Sequence, residues 1–434
     1  MWAVPEPVAA AAAVVGSSVP AAGRLLLIAP HGSYRTVPFL EAAAARGTEV
    51  LIASESRHSL VSAYARGLHV DFADPDGALR ALLEEAQARP FTAVIATDDS
   101  STELASRACS VLGLPHNPVE AVRLARRKDL ARARLAERGV PAPWHRRLDL
   151  ELPLAGQIAD IPYPCVLKPV ALAASRGVIR ADDPDALRAA VARIRAILRD
   201  VRDREEQRYI LVEQFIPGRE VAVEGMLTDG CLQVLAVFDK PDPLDGPFFE
   251  ETYYVTPSRL GEDTQSLLRQ RLDEACRAYG LREGPIHAEC RVNEQGVWIL
   301  EVAARTIGGL CGRLLRFGTG RSLEQLVLEH ALGDIAEVRP QSGGAGVLMI
   351  PIPRAGILRR VEGVLSASRV PGVEDVVIDV REGYELVPLP EGSNYLGFVF
   401  ARAPGPAAAE AALRAAHACL NIVVAPLWKG AAAG

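Results

Sequence analysis

Leu211-Val-Glu-Gln-Phe-Ile-Pro-Gly-Arg-Glu-Val-Ala-Val-Glu-Gly225 is the stretch on which the fold turns. Two hydrophobic segments, Tyr209–Ile216 and Glu220–Leu227, flank Pro217-Gly218 and read as successive strands. Asp229-Gly230 is a tight-turn dipeptide leading to a third strand, Cys231–Phe238. One reading of the interspersed carboxylates is an amphipathic hairpin with its acids on the wet side. The other is a nucleotide site, in which the backbone of Gln214, Phe215 and Ile216 meets an adenine edge. Glu213 then accepts from the adenine amino group and Glu220 from two ribose hydroxyls, a task suited to an acceptor-only side chain.

Upstream, Pro164-Cys-Val-Leu-Lys168-Pro169 is an apolar strand ending in a lysine. Such a lysine is often only a solvated strand end, but here Ala171-Leu-Ala-Ala-Ser-Arg-Gly-Val178 follows, and a second strand, Gly177–Ala181. A loop of small residues lets backbone N–H groups and the Ser175 hydroxyl approach phosphate oxygens. The Walker A pattern is absent.

Downstream, His287-Ala-Glu289 and Val297-Trp-Ile-Leu-Glu301 place carboxylates in the middle of apolar strands, Ile286–Val292 and Val297–Ala303. Such groups are costly unless paired or metal-bound, and Mg²⁺ on nucleotide phosphates takes one or two carboxylates. With simple pairing across an even loop, Glu289 and Glu301 fall on opposite faces. A metal site therefore requires an irregular hairpin, and Gly296 is well placed to supply a bulge.

Toward the N-terminus, the strands Arg24–Ala29, Glu49–Ala53 and Thr92–Ala96 alternate with helical stretches at 37–46 and 76–89. This predicts a doubly wound, Rossmann-like parallel sheet with functional loops at His31–Arg35 and Thr97–Ser101. Val119–Arg138 reads as one Arg-rich helix, and another runs from Pro184 to about Gln207. The last ~100 residues, opening at Gly343-Gly344, read as a separate small α+β domain.

The chain has 434 residues and a formal charge of −6, with 49% hydrophobic and 24% charged residues. That composition excludes a disordered chain and argues against nucleic-acid or anionic-membrane partners, which attract basic surfaces. The apolar run Val8–Val15 is too short to span a bilayer. Seven scattered cysteines without a C-x-x-C pair argue against disulfides or zinc and for a reduced cytoplasmic setting. Only four residues are lysine, namely Lys128, Lys168, Lys240 and Lys429. Each is notable beside so many arginines, because a compact ammonium differs chemically from a planar guanidinium.

Taken in order, Lys128, PCVLKP with its small-residue loop, VEQFIPGREVAVEG, HAE and LEVAAR-x-x-GG resemble the ATP-grasp superfamily. Within it they are similar to carboxylate–amine ligases of the L-amino acid ligase (dipeptide synthetase) type. The resemblance implies ATP and Mg²⁺, with Mn²⁺ as an alternative, and an acyl phosphate formed from one small-molecule substrate and captured by an amine. It implies Lys128 and Lys168 on the ATP phosphates, Ser175, Arg176 and Gly177 in a closing loop, Glu213–Ile216 on adenine and Glu220 on ribose. Glu289 and Glu301 hold the metal, and Arg305 stabilises the transferred phosphoryl group and the oxyanion. Lys240 in Phe238-Asp-Lys is a further candidate for the site.

Phe248-Phe-Glu-Glu-Thr-Tyr-Tyr254 resembles the segment that faces the acceptor in such ligases. There Glu251 would bind an α-ammonium group, His287 would orient a substrate carboxylate, and Gly308-Gly309 would offer backbone amides. The same segment also reads as an aromatic strand with a solvated glutamate pair, and Gly308-Gly309 as a simple turn.

Many members carry Asn two residues after the second metal carboxylate, where this chain has Ala303. A non-catalytic ATP-binding protein is therefore one alternative, and a bicarbonate-activating enzyme of the biotin-carboxylase kind another. The implied organisation is a disordered tail 1–23, an N-terminal Rossmann-like domain 24–118, a two-lobed ATP-grasp domain 119–335 with its lid at about 164–208, and a C-terminal domain 336–434. A homodimer is left open.

Overall fold

In the computed structural model, residues 23–55, 66–334 and 342–427 are described, so the expected tail (apart from Gly23) and Lys429 lie outside them. Arg24–Ile28 is buried along its whole length, as a strand covered on both faces must be. It is central in a parallel four-stranded sheet ordered Arg66–His69, Glu49–Ser54, Arg24–Ile28, Ala93–Ala96. Chain direction across the sheet reverses between the last two strands. The loops that follow them, holding Arg35 and Asp98, therefore meet in the crevice where ligands bind in such folds.

A second sheet, antiparallel and four-stranded, runs in the order His145–Asp149, Tyr209–Gln214, Cys165–Pro169, Ile179–Ala181. The helix Pro184–Leu198 covers it through Leu187, Val191 and Ile194. That helix stops short of Gln207. A separate helix, Arg204–Arg208, begins where the Asp203 side chain accepts from the Glu205 and Glu206 amides.

The third sheet is antiparallel and eight-stranded, in the order Gly296–Ala303, Gly284–Asn293, Arg219–Thr228, Cys231–Lys240, Tyr253–Thr256, Gly344–Ile350, Gly397–Ala403, Val373–Ile378. One face packs on the helix Glu262–Tyr279, whose Leu268, Leu272 and Ala275 are fully buried. Its sequence is mostly polar, with charges spread along it, and the helix was not expected.

Two further expectations are corrected. Val119–Arg138 is two helices, Val119–Arg126 and Lys128–Glu137, because Arg127 is extended and the Lys128 amide donates to the Val170 carbonyl at 2.8 Å. The C-terminal part is α+β but not separate: three of its strands continue the eight-stranded sheet. Among the described residues no helix is long and apolar enough to cross a membrane.

Candidate active site

Pairing registers in the large sheet set out the site in rows. On the face away from the Glu262–Tyr279 helix, Lys240, Glu220 and Arg291 line up across three strands. The next row holds Phe238, Ala222, Glu289 and Glu301, and the one after it Ala236, Glu224, His287 and Ala303. Alternation alone would put Glu301 on the other face. The hairpin turn is even, Asn293 pairing with Gly296, but Cys290 pairs with Ile299 and Glu289 with Glu301. The extra residue is thus Leu300, not the expected Gly296. Its carbonyl accepts from Arg132.

These rows floor a cleft of about 780 Å³. The small lobe supplies Val166, Lys168 and Ala171–Ser175, the N-terminal sheet supplies Tyr34, Arg35, Asp98 and Asp99, and the C-terminal part supplies Met349, Ser393–Tyr395 and Phe398. Of the expected residues, Lys128, Lys168, Ser175, Glu213–Ile216, Glu220, Glu251, His287, Glu289, Glu301, Arg305, Gly308 and Gly309 all line it. Arg176 and Gly177 do not. The Arg176 Nε donates to the Glu391 carbonyl and the Gly177 amide to the Pro390 carbonyl, both at 2.9 Å.

At one end, Lys168 Nζ is 2.6 Å from Glu213, and Arg132 Nε is 2.5 Å from the same carboxylate. Burial alone would raise the Glu213 carboxyl, but the two cations outweigh it and hold it below the usual range. Its two oxygens thus each face a cation, Arg132 and Lys168, within the cleft lining. The Gln214 and Phe215 amides are bonded to the Trp144 and Pro164 carbonyls, and the Ile216 amide donates to none of the described residues.

In the middle, Lys128 Nζ lies 3.3 Å from Glu301 and also donates to the Leu172 carbonyl at 2.9 Å. Glu289 lies 3.3 Å from Lys240. Sequence reasoning did not foresee that oxygens of Glu220, Glu251 and Glu289 come within 4.8 Å of one another. The Lys240 ammonium sits among them, 2.8 Å from Glu220 and hydrogen-bonded to Glu251. Arg291 takes the other Glu220 oxygen at 2.9 Å, so that carboxylate is held between two cations.

Glu251 also accepts from the Tyr254 hydroxyl at 2.8 Å, so each of its oxygens carries one bond. Burial raises Glu251; against the same burial Lys240 and His287 pull Glu289 well down, so a shared proton favours Glu251. His287 Nδ1 is 2.7 Å from Glu224, the residue opposite it in the sheet.

At the other end, Arg305 Nε donates to Asp99 at 2.9 Å and Nη1 to the Thr306 carbonyl at 2.9 Å. Arg35 bonds Asp98 at 2.6 Å and the Ile307 carbonyl at 3.1 Å. Gly309 has φ of 60°, and a Cβ there would lie 3.1 Å from Phe398. The aromatic wall joins Tyr34 and Phe249, which lie in segments the sequence had singled out, to Tyr395 and Phe398, which it had not.

As oxygen donors to a hard divalent cation, Glu289 and Glu301 fit. Both are opposed across adjacent strands, and each faces an ammonium only at 3.3 Å.

Residues 161–313 match the ATP-grasp domain, 40–116 the ATP-grasp N-terminal domain, and 348–425 the L-amino acid ligase C-terminal domain 2. An L-amino acid ligase from Bacillus licheniformis superposes with a TM-score of 0.79 and 26% identity, over 94% of this chain and all of that one. Alanine–anticapsin ligase of Bacillus subtilis is 25% identical over 52% of this chain and 50% of its own length. Dapdiamide A synthase of Enterobacter agglomerans is 28% identical over 62% of this chain and 64% of its own. The chain thus spans about half to two thirds of these two relatives.

Proposed function

From a chain built of ATP-grasp domains and an L-amino acid ligase C-terminal domain, we propose an ATP-dependent carboxylate–amine ligase that joins two small molecules, at least one an amino acid, through an acyl phosphate. The observation that carries this reading is the convergence of Lys128, Lys168, Glu289, Glu301 and Arg305 on one cleft walled by all three parts of the chain.

A carboxylate oxygen of the first substrate attacks the γ-phosphorus, and the bond to the β,γ-bridging oxygen breaks to release ADP. The amine nitrogen of the second attacks the acyl carbon, phosphate leaves, and the amine proton passes to solvent or to the leaving phosphate. Lys128 and Lys168 meet the phosphates as ammonium groups already aimed by Glu301 and Glu213. The unbonded Ile216 amide is the donor left for an adenine ring nitrogen. Glu289 and Glu301 would hold Mg²⁺, which neutralises phosphate charge when bound. Arg305, fixed by Asp99, keeps N–H groups for the transferred phosphoryl oxygens and the oxyanion. The Ala171–Val178 loop and the aromatic wall exclude water, which would otherwise hydrolyse the acyl phosphate.

The free cysteines suit a reducing, cytoplasmic setting. The test is ADP and phosphate release from MgATP against single and paired L-amino acids, with a bicarbonate arm. Amide product in step with ADP for particular pairs supports the ligase. Turnover that needs bicarbonate and no amine overturns it.

A further inference from the structure

Arg176 and Gly177 belong to the loop expected over the phosphates, yet they face the C-terminal part of the chain. Gly177 N–H donates to Pro390 O and Arg176 Nε to Glu391 O. From the helix of the same lobe, Arg193 grips the Glu391 carboxylate with two bonds, 2.5 and 2.9 Å. The lobe is held from its other side as well: the Arg180 amide donates to the Pro247 carbonyl at 2.9 Å, and Ile179 bridges Phe248.

The turn carrying Glu391 is stiff. The Gly392 amide closes on the Pro388 carbonyl at 2.9 Å, and a Cβ on Gly392 would lie 1.8 Å from the Val387 carbonyl. Its next residues, Ser393, Asn394 and Tyr395, line the cleft, and the side chains of Ser393 and Asn394 bond none of the described residues. One turn therefore has the lid on one side and the cleft on the other.

We propose that Glu391 is a positioning residue: it latches the lid lobe to the C-terminal turn, so that lid closure and occupation of the cleft beside Ser393–Tyr395 by the second substrate are coupled. This rests on the ligase reading for the identity of that substrate, while the latch itself does not. By linkage, the factor by which a ligand at the turn favours the closed lid equals the factor by which lid closure tightens that ligand.

The experiment is amide hydrogen exchange of the full chain with Mg²⁺ and a non-hydrolysable ATP analogue, following peptides spanning 171–180 and 388–395. Glu391→Ala and Arg193→Ala should each speed exchange in the 171–180 peptide about fivefold, and the Arg193→Glu/Glu391→Arg exchange should slow it again. Both side chains are about half exposed, so the variants fold. In turnover with a productive pair, ADP formed per amide should rise several-fold in each single variant and fall back in the charge swap. Unchanged exchange in both single variants, or a swap as fast as they are, overturns the latch. A wild-type chain that forms no amide while the exchange pattern holds overturns the ligase reading and leaves the latch standing.

Discussion

Glu289 and Glu301 stand directly opposite one another on adjacent strands, because Leu300 is squeezed out of register between them. The bulge turns a carboxylate that alternation would have sent to the apolar side onto the face of the cleft. The turn of that hairpin is an ordinary two-residue one, Asn293 pairing with Gly296, so the irregularity is confined to Leu300.

Glu301→Gln should therefore reduce MgATP-dependent turnover at least about a hundredfold, by weakening the cation that neutralises phosphate charge. Its thermal midpoint should move by no more than about 2 °C, because the Glu301–Lys128 contact is loose and partly solvated. Steady-state kinetics across a Mg²⁺ series, beside differential scanning fluorimetry, checks both. A non-catalytic scaffold would show no such separation, because the variant would lose nothing measurable.

Much of this was legible from the chain, and the residues say why. The apolar strands that carry Lys168, Glu289 and Glu301 show their period and their chemistry locally, so sequence located them. The pairing that decides what those groups do is not local. Glu213 and Glu220 looked available because their partners, Arg132 and Arg291, lie 81 and 71 residues away and are ordinary members of an arginine-rich chain. The helix Glu262–Tyr279 was missed because its buried face is only a stripe in a mostly polar segment. The C-terminal strands were set apart because Gly and Pro breaks mark loops without showing which sheet receives the strand that follows.

Lys240 is the cation of a triad of carboxylates and is almost wholly buried. Lys240→Met would leave three acids within 4.8 Å of one another. Breaking a buried pair in this way costs about 3–5 kcal/mol. Chemical denaturation should register that loss at neutral pH. Millimolar Ca²⁺ should restore part of it in the variant and add less to the wild type, because the three carboxylates then have room for an ion. Equal Ca²⁺ responses would show that the ammonium does not hold the place of a cation.

The Glu213 carboxyl, held below its ordinary value by Arg132 and Lys168, gives a pH dependence of defined sign. A depressed acid stabilises the fold fully above its unfolded value, about 4.5, and loses that contribution as pH falls through the lower folded value. Wild-type stability should accordingly decline below about pH 4.5. Glu213→Gln should be less stable by about 3–5 kcal/mol at pH 7, since two buried cations lose their counter-charge, and should show a flatter acid limb. Urea midpoints from pH 3 to 7 for both proteins test this, and parallel curves would remove Glu213 from the account.

Asp99 opens the helix Asp99–Leu112 that follows the N-terminal sheet, yet it fixes Arg305, just beyond the strand Gly296–Ala303 of the large sheet, at 2.9 Å. Burial would raise the Asp99 carboxyl, but Arg305 outweighs it and keeps the acid ionised. Such a bond across two parts of the chain sets the angle of the guanidinium before any substrate arrives, and preorganisation of that kind acts on the transition state more than on ground-state binding. Asp99→Asn keeps the size and one acceptor oxygen but removes the charge, so it should lower kcat about ten- to a hundredfold with KM for ATP nearly unchanged. Arg305→Lys keeps the charge but loses the planar fork, and should cost more, about a hundred- to a thousandfold. Because both substitutions disturb one arrangement, the double variant should be hardly worse than Arg305→Lys alone. Multiplicative losses in the double variant would mean that Asp99 acts on the reaction by some route other than holding Arg305.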